Sequence, residues 1–286
     1  MLQATVKLCC GIAHDPLRRL PGKPRSPPLQ AREKQAGQRV LKDMSSLHRM
    51  GVSLGMSHLW SPCVPTRGVS PSQSSSMDLS YLRQGERALQ RALSILQQHT
   101  SWQAEPVLDT SAAVSSAALP GLGRVFRAEA VLAVPVAQLH QELFERMEQM
   151  PQWNPNLSQV KVLRRIGTDT LVTQEVTTPS PGNLVGQRDF VSVRHRGRRG
   201  AAIYLVGTAT HAEPLPPQEG CIRAESRLSC IVLQPLAGDP GRTRLTWLLS
   251  MDLKGWIPAA VLHRVLPQSQ ADFIEHLHRH LCHRGA

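Results

Sequence analysis

An α+β fold, a single run of antiparallel strands closed by a long terminal helix, is what the sequence predicts. Two observations carry the sheet and one carries the helix. From residue 123 onward, segment after segment alternates apolar and polar residues. Several of the breaks between segments are short turns: Gly167-Thr168-Asp169, Gly197-Arg198-Arg199-Gly200 and Gly238-Asp239-Pro240-Gly241. Such turns join antiparallel neighbours, because parallel strands need a crossover of a dozen or more residues. After Pro258 the period changes, and Val261, Leu262, Val265, Phe273, Leu277 and Leu281 recur at helical spacing.

Taken in order, Ser76 caps a first helix with Leu82, Leu89, Leu93 and Leu96 on one face and Tyr81 in its first turns. A Ser/Ala-rich loop to Pro120 is expected next. Gly123–Val134 alternates around Phe126, Ala128, Ala130 and Leu132 and reads as a strand. Pro135 suits the first turn of a helix carrying Leu139, Leu143, Met147 and Met150, which stops by Pro151 at the turn Trp153-Asn154-Pro155-Asn156. Strands follow around 159–166, 170–177, 189–195, 201–210, 221–234 and 242–253. Pro258 opens the last helix, and Pro267 in its middle is expected to kink it or break it in two. A curved sheet of this size wrapped around a helix leaves a hollow, which is a natural apolar ligand site.

The charge is uneven. The 286 residues hold 33 Lys+Arg against 21 Asp+Glu, a formal +12, which taken alone suggests a nucleic-acid or acidic-membrane partner. Residues 1–77 hold 11 of the basic residues and 3 of the acids, a net +8, leaving 22 against 18, a net +4, for residues 78–286. The first segment, with 8 Pro and 11 Ser and neither Phe nor Tyr, reads as a disordered linker. Its opening is amphipathic and basic, with Leu2, Val6, Cys9, Ala13, Leu17 and Leu20 interleaved with Lys7, Arg18 and Arg19, the composition of a mitochondrial transit peptide. With only 4% aromatic residues there is little on which to stack single-stranded bases, so a nucleic-acid partner is not expected.

Other classes find little support. No apolar run approaches a membrane span. The six cysteines form no C-x-x-C pair, which suits a reducing compartment. There is no Gly-x-Ser-x-Gly, no phosphate-binding glycine loop and no His-Glu-x-x-His. His140-Gln141-Glu142 opens like a deaminase motif but lacks its Pro-Cys-x-x-Cys partner. The last helix holds His263, His276, His278, His280 and His283. His276 and His280 lie one turn apart with no third ligand, so these histidines are read as groups that gain charge on acidification and loosen the helix. Arg194-His-Arg-Gly-Arg-Arg199 reads as a solvated basic hairpin, with attraction to anionic headgroups as its alternative. No enzyme, metal or cofactor is expected.

Longer segments are more specific. Trp153-Asn-Pro-Asn156, Gly182-Asn-Leu-Val-Gly-Gln-Arg-Asp-Phe-Val-Ser-Val-Arg194 and Leu245-Thr-Trp-Leu-Leu-Ser-Met-Asp-Leu-Lys-Gly-Trp-Ile-Pro258 closely resemble the START domain family. Tyr81-Leu-Arg-Gln-Gly85, Gly123-Arg-Val-Phe-Arg127 and Ile222-Arg-Ala-Glu225 agree with it, and Met1–Cys9 resembles a mitochondrial presequence found in it. The likeness spans residues 78–286 and the first nine. It implies a helix-grip fold with an internal tunnel for one cholesterol molecule, carried by a monomer at the mitochondrial outer membrane for steroid synthesis, and a presequence met by the import machinery. A START-type carrier of another sterol or lipid is the alternative. Divergence in the linker points to a paralogue or a distant-species copy.

The same resemblance supplies the site. A tunnel-facing acid and arginine of the family match Glu175 and Arg194, and Met150 and Asn154 match lining positions. Where relatives continue Arg-Ala-Glu with a histidine and a Gly-Pro turn, this chain has Ser226 and no such turn, which bears on sterol preference. A serine that follows Arg-Arg-Gly in close relatives is Ala201 here, which removes a phosphorylation point. The low aromatic content fits a tunnel walled mostly by aliphatic side chains. The family's last helix is thought to move as a lid, so a hinge near Pro267 is expected.

Overall fold

The structure, a computed structural model, describes residues 75–283; the expectations for the presequence, nearly all of the linker and Cys9, Cys10 and Cys63 lie outside the described residues. Helix α1 spans Ser76–Gln97. Its cap is Ser75, one residue earlier than expected. The Ser75 hydroxyl accepts from the Asp78 amide (3.1 Å) and the Asp78 carboxylate accepts from the Ser75 amide (3.3 Å), so two otherwise orphaned donors are satisfied reciprocally. The buried face is Tyr81, Gly85, Ala88, Leu89, Ala92 and Ile95, with Leu82, Leu93 and Leu96 half-buried at its flank.

Nine strands form one sheet: β1 Gln103–Ala104, β2 Ala113–Leu119, β3 Gly123–Leu132, β4 Leu157–Ile166, β5 Thr170–Thr177, β6 Arg188–Arg199, β7 Ala202–Ala209, β8 Ile222–Leu236 and β9 Asp239–Asp252. Their order is β1-β2-β3-β9-β8-β7-β6-β5-β4, so the last strand, β9, lies between β3 and β8. All neighbours are antiparallel, and a short extra pairing of β6 with β8 is parallel. Each predicted strand is present, most of them longer than the alternation alone indicates.

Three expectations change. The Ser/Ala stretch is strand β2, not loop: its small side chains have weak strand propensity, but the Pro120–Leu122 turn registers Leu119 on Gly123, and six further residue pairs with β3 follow. The helix after Pro135 is broken into α2 (Val136–His140), a wide π-type turn (Gln141–Glu145) and a tight 3-10 helix (Met147–Gln152) containing Pro151. That sequence of turns still buries Leu139, Leu143, Met147 and Met150. The supposed basic hairpin is mostly strand: β6 runs to Arg199 and pairs with Ala202, leaving Gly200 and Ala201 as the turn.

Helix α3 spans Ala259–His283 and passes through Pro267 without a break. It lies on one face of the sheet, where Ala271, Phe273, Ile274, Leu277 and Leu281 join residues from β3, β5, β7, β8 and β9 in the largest core. Helix α1 covers the other face, against Val206, Leu228, Cys230, Val232 and Leu248. Two glycines set how closely α1 lies on β6: a Cβ on Gly85 would come within 2.5 Å of His195 Cβ, and one on Gly197 within 2.4 Å of Leu89 Cδ2.

Candidate ligand-binding site

Parity along the strands decides which side chains face α3. On β5, Val172 packs under α1 beside Tyr81, whereas Leu171 joins the α3 core, so Thr173 and Glu175 share the α3 side. On β6 the cross-strand partners of Leu171, Thr173 and Glu175 are Arg194, Ser192 and Phe190, which therefore face the same way. The predicted pair is thus formed on the helix-facing wall. Arg194 Nε donates to Glu175 Oε1 at 3.0 Å, and its Nη2 reaches both carboxylate oxygens at 2.5 Å. Thr173 Oγ1 donates to the same Oε1 at 3.0 Å. The arginine stem runs over Gly207, 3.5 Å from where a Cβ would stand. Both charged side chains are half-buried to buried, with 26% of Arg194 and 12% of Glu175 exposed.

Ser226 reaches this wall through an irregularity. Before Arg227, even positions of β8 face α3, as Ala224 does in the apolar cluster with Phe126, Phe190 and Leu266. The register shift between Ser226 and Leu228 reverses the parity, so Leu228 turns to the α1 core while Ser229 and Ile231 face α3. Arg227, the extra residue, is tied outside by Asp252 (2.9 Å) and the Leu122 carbonyl (3.3 Å). Ser226 therefore lies opposite Met251 on the α3 side, buried, and its hydroxyl has no hydrogen-bond partner among the described residues. That is a costly arrangement for a protein interior unless another molecule completes it.

The other two predicted positions sit apart from this trio. Met150 is buried on the 3-10 helix in the α3 core. Asn154 is buried in the turn that follows, where its Oδ1 accepts from the Asn156 amide at 3.1 Å and its own amide donates to the Met150 carbonyl at 2.8 Å. Asn154 thus has local turn work that accounts for its burial.

The wall has members that sequence reasoning passed over. Trp247 Nε1 donates to Ser229 Oγ at 3.0 Å, and its ring lies 4.9 Å from Phe273 of α3. Trp153 packs between Phe273 (5.5 Å) and His280 (5.4 Å), and its indole N–H has no partner among the described residues. Gln270 is buried, donates to the Trp247 carbonyl at 3.2 Å and leaves its Oε1 without one. The wall is largely aliphatic, yet all four phenylalanines lie in the two clusters that α3 closes.

Flanking charges are structural. Arg188 is buried, and its guanidinium donates to the carbonyls of Leu253 (2.7 Å), Gly186 (2.8 Å) and Lys254 (3.4 Å), which ties β6 to the β9–α3 loop; burial lowers its pKa. Fully buried Asp189 accepts from Arg223 at 2.8 Å. Arg196 binds Asp169 and lies over the Phe144 ring, so the basic run is engaged on both of its inward arginines, and only Arg198 and Arg199 are exposed at the hairpin. The deaminase-like pair does not converge: His140 stacks on Phe144, while buried Glu142 meets Arg146 and His280. No group of three or more possible metal ligands exists among the described residues.

Comparison with known proteins bears on the fold and the family. The START domain family matches residues 82–286. Proteins named steroidogenic acute regulatory protein, mitochondrial, are 41% identical in Danio rerio (100% of this chain, 97% of the relative), 43% in Gallus gallus (98% and 98%) and 42% in Homo sapiens (98% and 96%). Among solved structures, human StAR-related lipid transfer protein 5 superposes with a TM-score of 0.66 at 19% identity, covering 73% of this chain and all of that one, and human STARD10 with 0.57 at 18%, covering 66% and 76%. With the domain matched over most of its length and full-length relatives at this identity, the chain belongs to the START domain family, in the group of the steroidogenic acute regulatory proteins.

Proposed function

We propose that this protein carries one cholesterol molecule between the sheet and α3 and promotes its transfer into mitochondria for steroid synthesis. The observation that carries the proposal is the wall itself: a largely apolar surface whose few polar groups include the Glu175–Arg194 pair and a buried Ser226 hydroxyl with no hydrogen-bond partner among the described residues. A sterol is nearly all hydrocarbon with a single hydroxyl, so it needs that ratio of apolar to polar groups. Burying roughly 500 Å² of sterol at ~25 cal/mol/Å² contributes about 12 kcal/mol gross, much of it offset by lost ligand freedom. Orientation then falls to the polar groups. Glu175 and Arg194 hold spare hydrogen-bonding capacity for the sterol hydroxyl, directly or through water. Ser226 can donate or accept from the neighbouring strand. Met150 and Asn154 complete the far wall in this reading.

The mitochondrial destination rests on the names of the full-length relatives and on the basic amphipathic opening of the chain, with residues 1–77 read as presequence and linker before a lipid-binding domain. Residues 78–286 act as a monomeric carrier without cofactor or chemical step. Sterol uptake from a cyclodextrin complex tests the site. Wild type is expected to take up cholesterol, and Ser226→Ala to bind it about tenfold less tightly, the worth of one buried hydrogen bond to a ligand. Uptake of phosphatidylcholine or ceramide in preference to cholesterol would favour a carrier of another lipid.

A further inference from the structure

Besides Ser226 Oγ, two buried polar atoms between the sheet and α3 have no hydrogen-bond partner among the described residues: Gln270 Oε1 and Trp153 Nε1. Gln270 has 0% of its surface exposed. Its Nε2 donates to the Trp247 carbonyl at 3.2 Å, which fixes the sense of the amide, because a flipped amide would set two acceptors against each other. The unpaired Gln270 atom is therefore an acceptor, whereas the Trp153 indole N–H is a donor and nothing else. Both residues belong to the surroundings of Phe273. Gln270 lies one helical turn before it, Trp153 packs on its ring at 5.5 Å, and Trp247, whose carbonyl holds Gln270, packs on it at 4.9 Å.

These two atoms stand away from Ser226. Ser226 is opposite Met251, and Trp247 is four residues back along β9, a separation of about 13 Å. Helix α3 follows the same order: Leu266 packs in the cluster with Ala224 and Phe190, and Phe273 in the core beyond it. A separation of this size is on the order of that between a sterol's ring hydroxyl and its side chain. Between the two places, Trp247 Nε1 and Ser229 Oγ satisfy each other at 3.0 Å. A hydrocarbon tail laid against Gln270 and Trp153 would leave one acceptor and one donor buried and unpaired. A hydroxyl there can donate to Gln270 Oε1 and accept from Trp153 Nε1. A carboxylate would set an anion against the Gln270 oxygen, and an ammonium would leave the indole donor unanswered, so the pair selects a neutral hydroxyl.

We propose that Gln270 and Trp153 form a second polar contact in the lipid site, which makes a sterol with a further hydroxyl on its side chain a tighter ligand than cholesterol. The proposal rests on the carrier reading, in which the ring hydroxyl lies at Glu175, Arg194 and Ser226. Full-length protein is titrated with cholesterol, 25-hydroxycholesterol and 7α-hydroxycholesterol, each delivered from cyclodextrin. The side-chain diol is expected to bind about tenfold more tightly than cholesterol, the worth of a hydrogen-bonded ligand hydroxyl. The ring diol, whose second hydroxyl falls short of Gln270, is expected to gain nothing. The ratio of the two affinities within one protein is the decisive quantity, since looser packing that weakens every sterol cancels in it. That ratio is expected to fall to about two or less in Gln270→Met, which keeps the length of the side chain without its oxygen, and in Trp153→Phe. Ser226→Ala is expected to weaken both sterols and to keep the ratio. Equal affinity of wild type for cholesterol and the side-chain diol would overturn the proposal, as would an equal gain for the ring diol or a ratio unchanged in both Gln270→Met and Trp153→Phe. Cholesterol uptake without any preference would leave the carrier reading standing while this inference fails, whereas a wild type that takes up no sterol removes both.

Discussion

Arg194 and Ser226 probe opposite properties of one wall, and their substitutions should move stability in opposite directions. Arg194→Leu leaves the Glu175 carboxylate with Thr173 as its remaining donor. A cost of about 2 kcal/mol in urea unfolding is expected, short of the ~3–5 kcal/mol for a fully buried pair, because Arg194 keeps some solvent contact. Ser226→Ala removes a buried hydroxyl that has no partner among the described residues, so the ligand-free protein should be unchanged or gain about 1 kcal/mol. A Ser226→Ala variant that loses more than about 1 kcal/mol without ligand would mean that the hydroxyl already serves the fold. Legibility at this scale was uneven. Glu175 and Arg194 could be placed through the family's motif. Thr173, Trp153 and Gln270 could not, because their contribution depends on which face they present and no local pattern marks it. Ser226 stands out in the sequence as a departure from the family, but its orientation depends on the bulge at Arg227, a feature without a sequence signal of its own.

The helices carry the second set of expectations. On an exposed helix Gly→Ala stabilises by about 1 kcal/mol. Here Gly85→Ala should instead destabilise by about 1–3 kcal/mol, since the new methyl meets the His195 Cβ and lifts α1 from β6. Thermal unfolding of that single variant checks it. Helix α3 is one helix in spite of Pro267, yet its two halves differ in burial: residues 259–265 are exposed or half-buried, whereas Leu266, Gln270, Ala271, Phe273, Ile274, Leu277 and Leu281 are buried. Hydrogen exchange should therefore be fast through Val265 and slow from Leu266 onward, which places the expected hinge at a change of packing. Uniform protection along the helix would rule the hinge out. The elements that pattern reading missed share a cause. Strand β2 is built mainly from Ala and Ser, whose pairing with β3 is decided by register, and the second helix gives way to a π-type turn and a 3-10 helix that packs against β4, although Leu139, Leu143, Met147 and Met150 follow a helical period in the sequence.

Across the whole molecule, three histidines have depressed pKa values. Burial is the largest cause for His140, His195 and His276, reinforced by the positive charge of Arg196 at His140 and of Arg279 at His276. Each is held neutral in the folded state and binds its proton more readily when unfolded. Their contribution to stability is thus complete above pH ~6.5, the ordinary histidine value, and is lost as pH falls through the lowered values. Asp169 and Asp252 add to the loss at lower pH: burial raises both pKa values, but hydrogen bonds from Arg196 and Lys254 outweigh it and hold them below the usual carboxylate range. A melting temperature that falls steadily below about pH 6.5 is expected, and one that stays flat to pH 4 would contradict the assignment. Acid sensitivity thus spreads over both faces of the sheet and reaches α3 at His276. The basic charge that dominates the composition belongs mainly to residues 1–77, and residues 78–286 carry only +4, so net charge says little about the cargo.

The cargo can be measured directly. Full-length protein incubated with vesicles containing cholesterol, ceramide and phosphatidylcholine, re-isolated and extracted for mass spectrometry, is expected to return cholesterol at about one molecule per chain, with the other lipids near background. Recovery of phosphatidylcholine or ceramide at that stoichiometry, or of no lipid at all, would contradict the account of a wall shaped for a sterol.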